Sequence, residues 1–178
     1  MKRQPASLEA RALGWLAQRE QSRSELRRKL LRLGRSRLQG DGGVGGEGGV
    51  GGEEALRGEV EALLDRLQAL QLLSDQRFVD SRVRVRADRF GTQRIAGELA
   101  QHGLQLDAAT AARLRDSELR RALQLWQRRF GEPAADRAEA LRQMRFLAGR
   151  GFAPDVVRRV VRQEAAAADP DEIDSGQD

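Results

Sequence analysis

The sequence contains no cysteine, no tyrosine and one histidine, His102. The absence of cysteine rules out disulfides and thiolate metal sites. With a single imidazole and no thiol or phenol, few groups are left that titrate near neutral pH, so acid–base or nucleophilic chemistry has little to work with. No metal-ligand spacing occurs. Lysine is almost missing too, at Lys2 and Lys29 only, so arginine carries nearly all of the positive charge in a chain of net charge +5. Prolines number four, leaving long stretches free to be helical. No apolar run approaches the roughly 20 residues that cross a bilayer, and the basic N-terminus lacks the unbroken apolar core of a secretory signal. We therefore expect a cytoplasmic protein with no membrane contact and no cofactor.

What is present is Leu, Ala, Arg, Glu and Gln, all good helix formers. Apolar residues recur at helical spacing: Leu8, Ala12, Trp15 and Leu16; then Val60, Leu63, Leu64, Leu67 and Leu70; then Leu119, Leu123, Trp126 and Phe130. The stretch "SRVRVRA" at 81–87 alternates like a strand. In a wider window, however, Val79, Val83, Ala87 and Phe90 fall four, four and three apart, which predicts a helix. Ser22 and Glu25 have capping-box spacing. Gly34, Gly103, Gly131 and Gly151 stand where left-handed helix caps are expected, and Pro154 suits the first turn of a last helix.

The run "GDGGVGGEGGVGG" at 40–52 matches G-x-G-x-x-G in several registers. A dinucleotide loop needs a strand before it and a helix after it. Here the preceding "SRSELRRKLLRLGRSRLQ" reads as a basic helix, and no G-K-[ST] follows. We read the run as slack between two helices, not a phosphate cradle.

Three stretches share one design: "SRSELRRKLLRLG", "GTQRIAGELAQHG" and "LRQMRFLAGRGF". Leu30, Leu99 and Leu147 each precede a glycine by four residues. The rhythm predicts an all-α chain of three tandem three-helix repeats stacked into an elongated body. Their expected bounds are 7–72, carrying a glycine-rich insertion at 35–54, then 73–115 and 116–164. Residues 1–6 and the acidic stretch 165–178 are expected to be disordered.

Arginines form the one conspicuous chemical feature. Arg82, Arg86 and Arg89 are spaced to share a helical face, with Arg94 nearby, and few acids lie within one turn of them. Arg128, Arg129, Arg145 and Arg150 follow in the third repeat. Such a row can neutralise phosphates or meet the acidic side chains of a protein groove. Glu25, Asp65, Glu98 and Glu118 read as solvated ion-pair partners. His102 reads as a surface group near a helix C-terminus. The few aromatics read as core, with Phe90 the one candidate for base stacking.

The pieces "SRSELRRKLLRLG", "LLSDQRFVDSRVRVRADRFGTQRIAGELAQHG" and "RQMRFLAGRGF" resemble the RecX family, bacterial regulators of the RecA recombinase. The resemblance runs over about residues 8–163. The chain departs from the family pattern in its glycine insertion, in His102 where a lysine is usual, and in Ser81 where an aromatic is common. The resemblance implies three three-helix repeats curved like a crescent. It implies a monomeric, non-enzymatic binder of RecA and the RecA–single-stranded DNA filament, with some direct DNA contact. Such a protein suppresses ATP hydrolysis, strand exchange and co-protease activity, and so restrains the SOS response. A general helical nucleic-acid binder without RecA contact is the alternative.

Overall fold

In the computed structural model, residues 6–40 and 50–168 are described. Among them every regular element is helical: α1 (Leu8–Gln18), α2 (Arg23–Gly40), α3 (Val50–Ala69), α4 (Asp75–Arg86), α5 (Thr92–Ala100), α6 (Ala108–Asp116), α7 (Glu118–Arg129), α8 (Arg137–Gly149) and α9 (Pro154–Ala168). The alternating segment 81–86 is helical, as its wider periodicity requires. No helix among the described residues is long and apolar enough to cross a membrane.

The chain divides into two compact units at Ser81/Arg82, within α4. In the first unit Leu26, Leu30, Val60 and Leu64 are fully buried, with Leu8 and Ala12 of α1 closing the core. Leu70, expected on the same stripe, lies one residue beyond α3 and is 61% exposed. Ser22 Oγ accepts from the Glu25 amide at 3.1 Å, the bond that the capping-box spacing predicts for Ser22. The Glu25 carboxylate also engages Arg19 and Lys29. Asp75 of α4 accepts from the Arg23 amide at 2.7 Å and so caps α2 as well. Arg23 also reaches Glu61 at 2.6 Å and Asp65 at 2.7 Å, tying α2 to α3.

Gly34 is not a helix cap. It lies inside α2, and a methyl group there would overlap Leu56 of α3; its value is close helix approach. Gly103, Gly131 and Gly151 do take positive φ, at 72°, 74° and 80°. A fourth left-handed cap falls on Gln71 (φ 57°), closing α3 through Leu72 and Leu73 amides that donate to the Leu67 carbonyl. The glycine insertion is shorter than expected, because α2 continues to Gly40 and α3 begins at Val50. A helix enters the run and a helix leaves it. Residues 1–5, 41–49 and 169–178 lie outside the described residues, and with them most of the expected disorder. Residues 165–168, assigned to the acidic tail, continue α9.

In the second unit Trp126, Leu147, Phe152 and Val160 form the core of α7–α9. Trp126 Nε1 donates to buried Gln143 Oε1 at 2.8 Å, and Gln143 Nε2 donates on to the Glu132 carbonyl. Ile95 and Leu99 of α5 are buried, so all three leucines before the closing glycines are at 0% exposure. The expected boundary at 115/116 is no break in packing. The Gly91 amide donates to the Arg150 carbonyl at 2.9 Å, and the Gln93 amide to the Gly151 carbonyl at 3.3 Å. A side-chain carbon at Gly91 would collide with the Gly151 backbone, and one at Gly151 with the Arg94 backbone.

Leu99→Ala is expected to cost about 2–5 kcal/mol in urea unfolding. Gly91→Ala should also destabilise, whereas Gly97→Ala, in open space inside α5, should gain roughly 0.8–1 kcal/mol. Equal effects of the two glycine substitutions would contradict the close backbone approach. Stability should also depend on acid. Hydrogen bonds from Arg23 and Arg27 hold Glu61 below the ordinary glutamate value of 4.5. Burial alone would raise Glu25, but Arg19 and Lys29 outweigh it and hold Glu25 low. Depressed carboxylates stabilise the fold above their unfolded value and lose that contribution as pH falls through the folded one. The melting temperature should therefore drop below pH 4.5, and Glu61→Gln should flatten that drop; an unchanged slope would refute the pairing.

Candidate binding surface

The second unit gathers charge around the turn that ends α4. Phe90, in that turn, is 8% exposed. Three guanidinium groups converge on its ring, with carbons 4.7 Å (Arg94), 5.1 Å (Arg86) and 5.5 Å (Arg150) from the centroid. These are cation–π distances. Phe90 is thus enclosed by arginines and is not an open stacking platform. Glu98 of α5 balances two of the three, at 2.9 Å from Arg86 and 3.7 Å from Arg94. Arg86 therefore has a nearby acid after all, supplied by tertiary contact and invisible within one turn of its own helix. Arg94 also donates to the Gly149 carbonyl at 3.1 Å.

Arg150 reaches the other way as well, lying 5.0 Å from the Phe146 ring. Phe146 meets Phe130 edge-on at 5.4 Å. Beside them opens a hollow of about 490 Å³, lined by Asp88, Arg89, Leu125, Arg128, Arg129, Phe146 and Arg150. Four arginines and one aspartate are among the residues that line it. Arg128 donates to the Asp88 carbonyl at 3.1 Å, which fixes α7 against the turn. Among the described residues Arg89, Arg128, Arg129 and Arg150 form no ion pair with a carboxylate. α4 ends at Arg86, so Arg89 stands in the following turn and does not share a helical face with Arg82 and Arg86.

Six of the eight expected arginines are thus drawn together, around either Phe90 or the hollow. Arg82 is half-buried one turn before Arg86, and Arg145 is exposed on α8; neither lines the hollow. His102 lies in the turn that follows α5. Among the described residues no group of three His, Cys, Asp or Glu side chains is placed to hold a metal ion.

Two residues that hold the surface in shape escaped sequence reasoning. Glu118 is buried at 3% exposure, not a solvated ion-pair partner. Its Oε1 accepts from the Thr92 amide at 2.9 Å, supplying α5 with the cap that Gly91 has no side chain to give. Arg121 is 6% exposed. It donates to the carbonyls of Ala87 (2.7 Å), Phe90 (2.8 Å) and Leu114 (2.9 Å), and to Ser117 Oγ (3.2 Å). Burial lowers its pKa, with Glu118 and Asp88 opposing the shift. A signal did exist: Glu118, Arg121, Ala122 and Trp126 are spaced three, one and four apart, along one buried face of α7.

Comparison with known proteins adds a second line of evidence. The family model described as RecX, third three-helix domain, matches residues 116–161. The regulatory protein RecX of Ralstonia nicotianae is 44% identical over 169 residues, covering 94% of each chain. That of Leptothrix cholodnii is 48% identical over 158 residues, covering 88% of each.

Arg121→Leu should leave the Ala87 and Phe90 carbonyls without this donor, strip one of two from Leu114, and cost on the order of 2–4 kcal/mol. Arg121→Lys should recover little of this, because one ammonium cannot span all three acceptors. Full rescue by lysine in urea unfolding would contradict the geometry.

Proposed function

This chain belongs to the RecX family, and from that premise we propose that it is a cytoplasmic, non-enzymatic regulator of RecA. It binds RecA or the RecA–single-stranded DNA filament and lowers ATP hydrolysis, strand exchange and co-protease activity, thereby restraining the SOS response. The observation that carries this reading is the match to proteins named as regulators along nearly the full length of both chains. We take the nine helices among the described residues as three triplets spanning 7–72, 73–115 and 116–164, the last overlapping the matched three-helix domain.

The hollow suits adhesion to a polyanionic surface. Arg89, Arg128, Arg129 and Arg150 offer forked donors to phosphate or carboxylate oxygens. Arg86 and Arg94, already engaged by Glu98, brace the surface and contribute less to contact. Arg82 and Arg145 would serve at its margins. Binding through several exposed guanidiniums weakens steeply with added salt.

Purified protein at near-equal ratios to RecA should suppress its DNA-dependent ATPase. The combined change Arg89→Ala, Arg128→Ala and Arg129→Ala should weaken that suppression by about ten-fold or more, with the melting temperature nearly unchanged. Unaltered ATPase over that range would sink the reading. Equal affinity for bare DNA and for RecA filaments would favour the general nucleic-acid binder instead.

A further inference from the structure

The second unit distributes its charge unevenly along the chain. Residues 82–163 hold 18 arginines against nine acidic residues. Residues 164–178 hold six acids and no lysine or arginine. Most of those acids fall after α9, in the stretch Asp169-Pro170-Asp171-Glu172-Ile173-Asp174. We propose that residues 169–178 dock into the arginine hollow of the same chain and mask it from polyanionic partners. The proposal rests on the reading of that hollow as the contact surface.

Chemistry on both sides matches. The hollow presents four guanidiniums alongside two apolar side chains, Leu125 and Phe146. The segment presents carboxylates around one apolar residue, Ile173. Carboxylates pair with guanidiniums through two parallel hydrogen bonds, and Ile173 can cover the apolar wall. A nucleic-acid backbone would satisfy the arginines and leave Leu125 without a partner.

Reach is sufficient. α9 has 15 residues, an axial length of about 22 Å, and begins four residues after Arg150. The acidic stretch 169–174, extended, spans about 20 Å, close to the length of the helix, and the long arginine side chains of the hollow close the remainder. Tethering also raises the local concentration of the segment to the order of millimolar, so modest affinity is enough for docking. A filament of much higher charge density displaces the segment, while weakly charged surfaces do not. The hollow is thereby biased toward dense polyanions.

The absence of cysteine provides the test. Gln177→Cys, carrying a nitroxide, leaves every acid in place. In the full chain it should broaden the amide NMR signals of residues 88–89, 125–129 and 146–150. Asp169→Asn, Asp171→Asn, Glu172→Gln and Asp174→Asn together should abolish that broadening. No broadening, broadening spread evenly over the surface, or broadening that survives neutralisation would overturn the proposal.

A second arm uses single-stranded oligothymidylate. The neutralised chain should bind it several-fold tighter, and the gain should vanish when Arg128→Gln and Arg129→Gln are added. If that gain persists there as fully as beside Arg158→Gln and Arg159→Gln, the effect is only net charge and the docking is refuted. RecA is absent from both arms, so failure here leaves the RecA reading standing, and failure of RecA inhibition leaves these results unaffected.

Discussion

The second unit turns on the buried guanidinium of Arg121. Burying a charge costs several kcal/mol unless its hydrogen bonds are replaced. Here they are replaced by the carbonyls of Ala87 and Phe90, in the turn after α4, and of Leu114, in the last turn of α6, which also accepts from Ser117 Oγ. The Leu114 carbonyl, in the last turn of α6, lies at the negative end of a helix dipole, which favours a cation. One side chain thereby fixes the turn bearing Arg89 and Phe90 against α7, which bears Arg128 and Arg129. The candidate binding surface inherits its shape from a residue that takes no part in it. Glu118, three residues earlier on the same face, does the complementary task at the N-terminus of α5.

Arginine in this chain has three distinct uses, and composition cannot separate them. Arg121 is interior. Arg23, Arg86 and Arg94 are paired with carboxylates from other parts of the chain or the next turn. Arg89, Arg128, Arg129 and Arg150 surround a hollow with one carboxylate. Other exposed arginines, Arg84 and Arg145 among them, also form no ion pair among the described residues, so what sets the last group apart is its gathering around one hollow.

Much of the fold was legible in the residues because it depends on local periodicity. The helix through "SRVRVRA", the buried Leu30, Leu99 and Leu147, the glycine caps at 103, 131 and 151, and Pro154 at the start of α9 are all local features. Gly34 misled because close helix approach and helix capping both demand glycine, and only the position of Leu56 tells them apart. Gln71 was missed because its left-handed conformation is imposed by the closing of α3 and not by its own preference. The four arginines of the hollow were named from the sequence but their gathering was not legible: they come from the turn after α4, from α7 and from the residue that follows α8, brought together by the Gly91–Gly151 approach. The amphipathic face of α7 did hold the clue to Arg121, since a charge on an apolar stripe must find acceptors inside.

The proposed contact of this chain with RecA filaments is through the arginine hollow of its second unit. Amide hydrogen exchange, followed with and without RecA–single-stranded DNA filaments, tests it most directly. The account predicts new protection concentrated in the turn after α4, the C-terminal half of α7 and the end of α8. Protection confined to α1–α3, with those segments exchanging as in the free chain, would contradict it.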